Sequence, residues 1–550
     1  MAEEDEAVDF YREMAPLDPD QYLPQLACAL YRQARALGVA DRWAEAVPVA
    51  QEAVDLYRDQ ALRDPERYLP YLATAVDTLA IRLGEAGRRA DALAAAKEAV
   101  GRYRDLAAAD PGTYLPGVAV TLHRLAIRLN LGGHREEAAN TAEDAVRRFQ
   151  ELVAVDRRRH LPGLASALNN FCLYAREAGR LQEATAAAEE AVGCYRDLVD
   201  GDPAYLFELA MAVNNHAAVL HVAGHRPEAL ACAEDAVALF RDLPLADSDN
   251  YRANLAGALN NLGLLLGEAG RPAEALVAAE EAAHLLRDLV MVNPDGYEPP
   301  LAHALTTLAT ELAGVGRDTE ALATIQEAVE LWRTLVEANA GFLPNLAASL
   351  NSLGLALAEV DRDTEALSAL EEVVRVFREL AVLNPDAFLA DEAGALSNLA
   401  VALGATGQTE LGLRTAQEAV ALDRELVVRN PDAHRPNLAR SLNNLADDLH
   451  TAGRLTEALA TAHEAVSILR DLVTTNREAH LGDLATVSMI LANLRAEDGD
   501  LAQARTLAAE AAGYVRELAL ANPGVFDADL VEADQLVADL ACDAPSGTAD

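Results

Sequence analysis

The chain has 550 residues, 88 of them acidic against 45 basic, a net charge of −43, and only 5% aromatic residues. A surface this acidic repels phosphate backbones and anionic headgroups, which excludes nucleic acid and membrane as partners. The length exceeds one compact core, yet Ala, Leu and Glu dominate from end to end without a Ser/Gly linker, so one long helical array is expected.

The opening stretch, MAEEDEAV, has neither the basic nor the apolar region of a secretory leader. No apolar run reaches the ~18 residues of a membrane-spanning helix. Cys28, Cys172, Cys194, Cys232 and Cys542 are scattered with no CxxC pair, the pattern of reduced thiols, so a cytoplasmic location is expected. Residues 1–20 predict a lone helix with Ala7, Val8, Phe10, Tyr11 and Met14 on an apolar stripe. That stripe is either a frayed end or a contact that builds a weak homo-oligomer through Phe10 and Tyr11.

Residues 21–522 are expected to hold eleven repeats. The motif EAV and its variants recur at Glu52, Glu98, Asp144, Glu190, Asp235, Glu281, Glu327, Glu372, Glu418, Glu464 and Glu510, at a spacing of 46 that twice contracts to 45. A further copy starts at Glu6. Each repeat opens at a loop such as Asp64-Pro65, Asp110-Pro111, Asn293-Pro294 or Asn430-Pro431. Proline is tolerated in a first helical turn, so the repeat's first helix starts there. It ends at Gly87, Gly133, Gly179, Gly224, Gly270, Gly316, Gly407, Gly453 or Gly499, or at Asp41 or Asp361. These positions call for a left-handed backbone, where Gly has no penalty and Asp is tolerated. The second helix carries a small residue five places on, as at Ala46, Ala275 or Gly412, where close helix approach needs it. Residues 523–541 predict a short acidic capping helix, and 542–550 a disordered tail.

The small residue Gly263, the turn Gly270, and Ala275 and Ala282 resemble the tetratricopeptide repeat pattern. The period here is about 46 rather than 34 residues. The chain is similar to the long-repeat branch of that family, kinesin light chain repeats and the arrays of bacterial signalling proteins among them. The resemblance implies an all-α, right-handed solenoid of antiparallel helix pairs whose first helices line a concave groove.

Catalytic patterns are missing. The single lysine, Lys97, sits in AAAKEAV and makes no P-loop. His463-Glu464 is followed by AVS rather than completing HExxH, and no GxSxG occurs. His221 and His225 are four apart, but the turn at Gly224 separates them. The chain is therefore expected to be no enzyme and to need no cofactor or metal. The carboxylates of the second helices read as a solvated outer face.

One polar feature recurs inside the first helices: Asn169-Asn170, Asn214-Asn215, Asn260-Asn261 and Asn443-Asn444, with Asn351 and Asn398 keeping half of the pair. Asn is a mediocre helix former. The resemblance implies contact with the main chain of an extended ligand, for which an amide offers donor and acceptor. The alternative is a ladder that braces neighbouring first helices. Arg32, Thr78 and Arg124 hold the same place in the first three repeats, flanked by Arg35, Arg82 and Arg128, while Glu177, Glu268 and Glu359 follow the later asparagines. A basic N-terminal groove that docks an acidic segment at Arg32 and Arg124 follows from this. The functional expectation is a protein-binding scaffold for a peptide or partner segment. A self-associating array, or the recognition array of a larger signalling protein, are the alternatives.

Overall fold

A computed structural model describes residues 2–243, 248–521 and 526–542. Of the expected tail, 543–550 lie outside the described residues, as do 523–525 at the head of the expected cap. Among the described residues there are 24 α-helices and two 3-10 turns, and no strand. The chain is all-α.

The chain divides into two compact units, Met1–Val219 and Leu220–Asp550. The first opens with α1 (Ala2–Met14), then α2 (Pro19–Val39), α3 (Trp43–Arg63), α4 (Pro65–Glu85) and α5 (Arg89–Ala109). It continues with α6 (Pro111–Leu131), α7 (Arg135–Val155), α8 (Arg157–Glu177) and α9 (Leu181–Gly201). The division falls within α10 (Leu206–Val222). The second unit holds α11 (Arg226–Arg241), α12 (Asp249–Glu268), α13 (Pro272–Val290), α14 (Pro294–Gly314), α15 (Asp318–Ala338), α16 (Leu343–Glu359) and α17 (Asp363–Leu383). After these come α18 (Pro385–Ala405), α19 (Thr409–Arg429), α20 (Pro431–Thr451), α21 (Leu455–Thr475), α22 (Arg477–Glu497), α23 (Leu501–Ala521) and α24 (Asp527–Cys542). Even-numbered helices open the pairs and odd-numbered helices close them.

Local chemistry sets the helix ends. Asp18, Asp64, Asp110, Asn293 and Asn430 cap first helices, each side chain accepting from the backbone N–H three residues on, with proline next in line. This satisfies one of the orphan donors of a helix start. All eleven turn positions have positive φ, Asp41 at 56° and Asp361 at 59° included. At Gly412 a methyl group would stand 3.0 Å from the Ala400 carbonyl, so the smallest residue sits at a close approach of α19 to the α18 backbone.

Sequential helices pack in a continuous layer in each unit. Around α16 the core joins Trp332, Leu346, Leu350, Val373 and Leu396. By length and composition Ala340–Glu359 is apolar enough to cross a membrane, which corrects the expectation that no such run exists. Its Leu346, Ala347 and Leu350 are core residues between neighbouring helices. Within the second unit, the Gly224 turn packs against the start of α22, where Asn476 Nδ2 lies 3.5 Å from the Ala223 carbonyl.

Next-but-one packing reveals the curvature. In the first unit it joins α2 to α4 and α6 to α8, and in the second α12 to α14, α14 to α16, α18 to α20 and α20 to α22. Among the described residues no two odd-numbered helices pack to that extent. In each unit the even-numbered helices therefore run along the inside of the curve.

Candidate binding face

The inner line of each unit carries a polar ladder. Nine residues before the turn, a donor reaches back to an acceptor ten residues before the turn of the preceding repeat. Asn215 Nδ2 donates to Asn169 Oδ1 at 3.0 Å, Asn398 Nδ2 to Asn351 Oδ1 at 2.8 Å, and Asn444 Nδ2 to Ser397 Oγ at 3.0 Å. In the first unit the same two places hold Arg124 and Asp77, joined by a salt bridge. The amides are half-buried. Where the next repeat lacks a matching donor, an acceptor is left over. Ile490 stands at the rung position after Asn443 and Thr307 after Asn260, and the Oδ1 atoms of Asn443 and Asn260 are shielded without a partner.

The other expected site residues fall as follows. Asn170, Asn214 and Asn261 are half-buried on α8, α10 and α12. Arg32 is exposed on α2, and the Arg35 guanidinium lies over the Tyr31 ring at 5.8 Å. Arg124 is engaged by Asp77, whose carboxyl burial pushes above its usual range while Arg124 and Arg128 pull it back. Arg128 Nη2 donates to the Ala80 carbonyl at 3.0 Å. The arginines of the first unit thus include a partly neutralised set, with Arg32 the more available charge. On α1, Val8 is 2% exposed and packs with Leu26 and Leu30, Tyr11 is half-buried beside them, and Phe10 is 52% exposed.

Further along the inner line are two acids with raised pKa. Glu311 on α14 is 5% exposed; burial, and then the charge of Glu268, push its pKa up to about 7. Glu268 is itself held low by His221, whose Nε2 lies 2.9 Å from its Oε1. Asp448 on α20 is pushed up to about 6 by burial and by Asp447. Among the described residues no group of three or more His, Cys, Asp or Glu is placed to hold a metal.

The outer line corrects the sequence expectation. The EAV acids are half-exposed, but they are not merely solvated. Six residues after one EAV acid an arginine reaches the EAV acid of the next repeat: Arg12 to Glu52, Arg287 to Glu327, Arg424 to Glu464 and Arg470 to Glu510, each at 2.7–2.8 Å. The recurring arginine was the missed signal. At the end of the array, Arg516 pairs with Asp534 of α24 at 2.5 Å.

The Tetratricopeptide repeat profile matches residues 255–290, 346–384 and 438–473, the segments that hold most of α12–α13, α16–α17 and α20–α21. A search of curated protein sequences finds no match. Solved structures similar in fold include BtubC (BKLC) from P. vanneervenii, at 19% identity and a TM-score of 0.36 over 45% of this chain and 92% of that one. Another is a Podosopora anserina putative kinesin light chain with nearly identical TPR-like repeats, at 20% identity and a TM-score of 0.31 over 41% and 98%. The apo form of RapI is a third, at 11% identity and a TM-score of 0.40 over 60% and 99%. Three stretches of the chain thus carry the tetratricopeptide repeat, and its helix pairs, glycine turns and 45–46-residue period are consistent with a long-repeat form of it.

Proposed function

We propose that the protein is a non-catalytic interaction scaffold whose inner line of first helices receives an extended segment of a partner protein. The row of half-buried amides along that line carries the reading. Each rung uses one donor and one acceptor, whereas every asparagine amide has two N–H groups and two lone pairs. The remaining capacity suits the alternating N–H and C=O groups of an extended chain. A net charge of −43 favours a basic segment in encounter.

The test starts with capture from lysate of the source cell, followed by cross-linking and mass spectrometry of the recovered complex. Cross-links are expected on even-numbered helices. Replacing Asn170, Asn215 and Asn261 by Ala should weaken binding by more than it lowers the melting temperature. Cross-links confined to odd-numbered helices, or full affinity in the triple variant, would remove the groove. A second reading, self-association through α1, has the exposure of Phe10 in its favour. Mass by light scattering across a dilution series separates the two.

A further inference from the structure

The ninth helix pair departs from its neighbours at one buried position. Five residues after the EAV acid, the other repeats carry a large apolar or aromatic side chain. Phe149, Tyr195, Phe240, Trp332 and Phe377 at this place are each at most 7% exposed. In α19 the residue is Asp423, 1% exposed. Tyr103 shows the usual setting. Its hydroxyl meets Thr74 Oγ1 at 3.0 Å on the first helix of its own pair, and its ring lies against Gly117 on the first helix of the next. Around Asp423 the corresponding places are Gly394 and Asn437.

Where seven of the other repeats have a ring and three an aliphatic side chain, the ninth has a cavity of about 110 Å³. Ser397, Asn398, Arg440, Ser441 and Asn444 line it together with Asp423. Both carboxylate oxygens of Asp423 are shut off from solvent and have no hydrogen-bond partner. A buried acid in that state is costly unless a donor meets it. Arg440 does not serve: its Nη2 donates to Asn437 Oδ1 at 2.6 Å. Burial pushes the Asp423 pKa up, while Ser441, Arg440 and His434 oppose the rise.

We propose that this cavity receives an alkylammonium group, with Asp423 as counter-ion and the Ser397, Asn398 and Ser441 side-chain oxygens as further acceptors. Taken together with the reading of the inner line as the partner's groove, on which this assignment rests, the occupant is a lysine side chain of the bound segment. The cavity adjoins the Asn444–Ser397 rung, and a thin alkyl stem with a three-donor head fits where a ring has been left out. The excess negative charge of the molecule favours the same occupant.

Titration calorimetry on the full chain tests the site with Nα-acetyl-lysine methylamide, n-butylammonium and, as uncharged control, Nα-acetyl-norleucine methylamide. The lysine derivative is expected to bind, the control not, and D423N to weaken binding by roughly tenfold or more, as loss of a charge-assisted contact implies. D423F should abolish binding while keeping the melting temperature at or above that of the parent, because a ring then fills the space as in other repeats. If D423F fails to fold, the near-isosteric D423N still decides. Unchanged binding in D423N overturns the site, and preference for n-butylammonium over the lysine derivative overturns the lysine assignment in favour of a free amine. If no ammonium probe binds, yet a captured segment still cross-links to even-numbered helices, the ammonium site falls and the groove stands. If the probe binds but no segment engages those helices, the groove falls and takes the lysine assignment with it.

Discussion

A charged side chain on the inner line needs room, and a glycine one repeat earlier makes it. Gly38 lies under Arg82 and Gly84 near Arg128 in the first unit, Gly267 under Glu311 and Gly404 near Asp448 in the second. Repeats preceded by a larger residue at the glycine place carry Tyr174, Leu265, Ala356 or Leu494 instead of a charge. A methyl group on Gly267 would stand 2.5 Å from Glu311 Oε2. Alanine in a helix is otherwise worth about 1 kcal/mol more than glycine. G267A is therefore expected to lower the melting temperature of the parent and to raise it in an E311A background; the same sign in both backgrounds would show that the two residues are uncoupled. The acids also set a pH dependence. Burial raises the Glu311 pKa from its ordinary 4.5 to about 7, so its contribution to stability is complete below about 4.5 and is lost as pH rises through about 7. Asp448, pushed from 3.8 to about 6, acts in the same direction at slightly lower pH. Melting temperature should rise as pH falls from above 7 towards 5, and E311Q with D448N should flatten that limb. A parent whose midpoint is constant through that window would contradict the burial of these acids in solution.

At the scale of the element, side-chain reach matches helix spacing. First helices crowd on the inside of the curve, where short amides span from one to the next, as Asn398 does to Asn351. Second helices stand further apart on the outside, where an arginine is needed to reach a glutamate, as Arg287 does to Glu327. The two kinds of rung should respond differently. N398A removes the donor to a half-buried Asn351 and is expected to cost about 0.5–1.5 kcal/mol, with little salt dependence. R287A breaks a pair whose side chains are 46% and 45% exposed and should cost at most ~1 kcal/mol, less in high salt. Thermal melts at two salt concentrations check this, and equal salt sensitivity would undo the distinction. Helix pairs, turns and period were legible in the sequence because each is written locally: a cap with its proline, a glycine, a small residue five places on. The rungs were not, because donor and acceptor lie 40 to 47 residues apart and become visible only when the repeats are stacked as columns. Asp423 is an outlier in such a column, invisible along the row, where the charged stretch ALDREL reads as ordinary surface. The asparagine places were legible as a pattern, but their bonding to one another was not, since recurrence does not distinguish a brace from a contact.

At the scale of the whole molecule, charge decides which encounters succeed. Self-association through α1 would bury Phe10, whose ring already lies edge-on to Tyr11 at 5.3 Å, while Val8 is covered by α2. Covering one such side chain contributes about 1.5–3 kcal/mol. Association costs an estimated 4–15 kcal/mol before any contact is counted. Two copies, each with a net charge of −43, also repel one another, with a range of about 8 Å at physiological ionic strength. A dimer through this face therefore forms only at high protein concentration, and salt should strengthen it by screening the repulsion. A basic partner segment behaves oppositely: its association with the inner line should slow as salt rises. Sedimentation of the parent and of F10S at low and high salt separates these cases. The parent is expected to be monomeric when dilute and to gain mass only when concentrated in high salt, and F10S to stay monomeric throughout. A dimer that persists on dilution in low salt and survives F10S would place the contact elsewhere and remove α1 as the self-association surface.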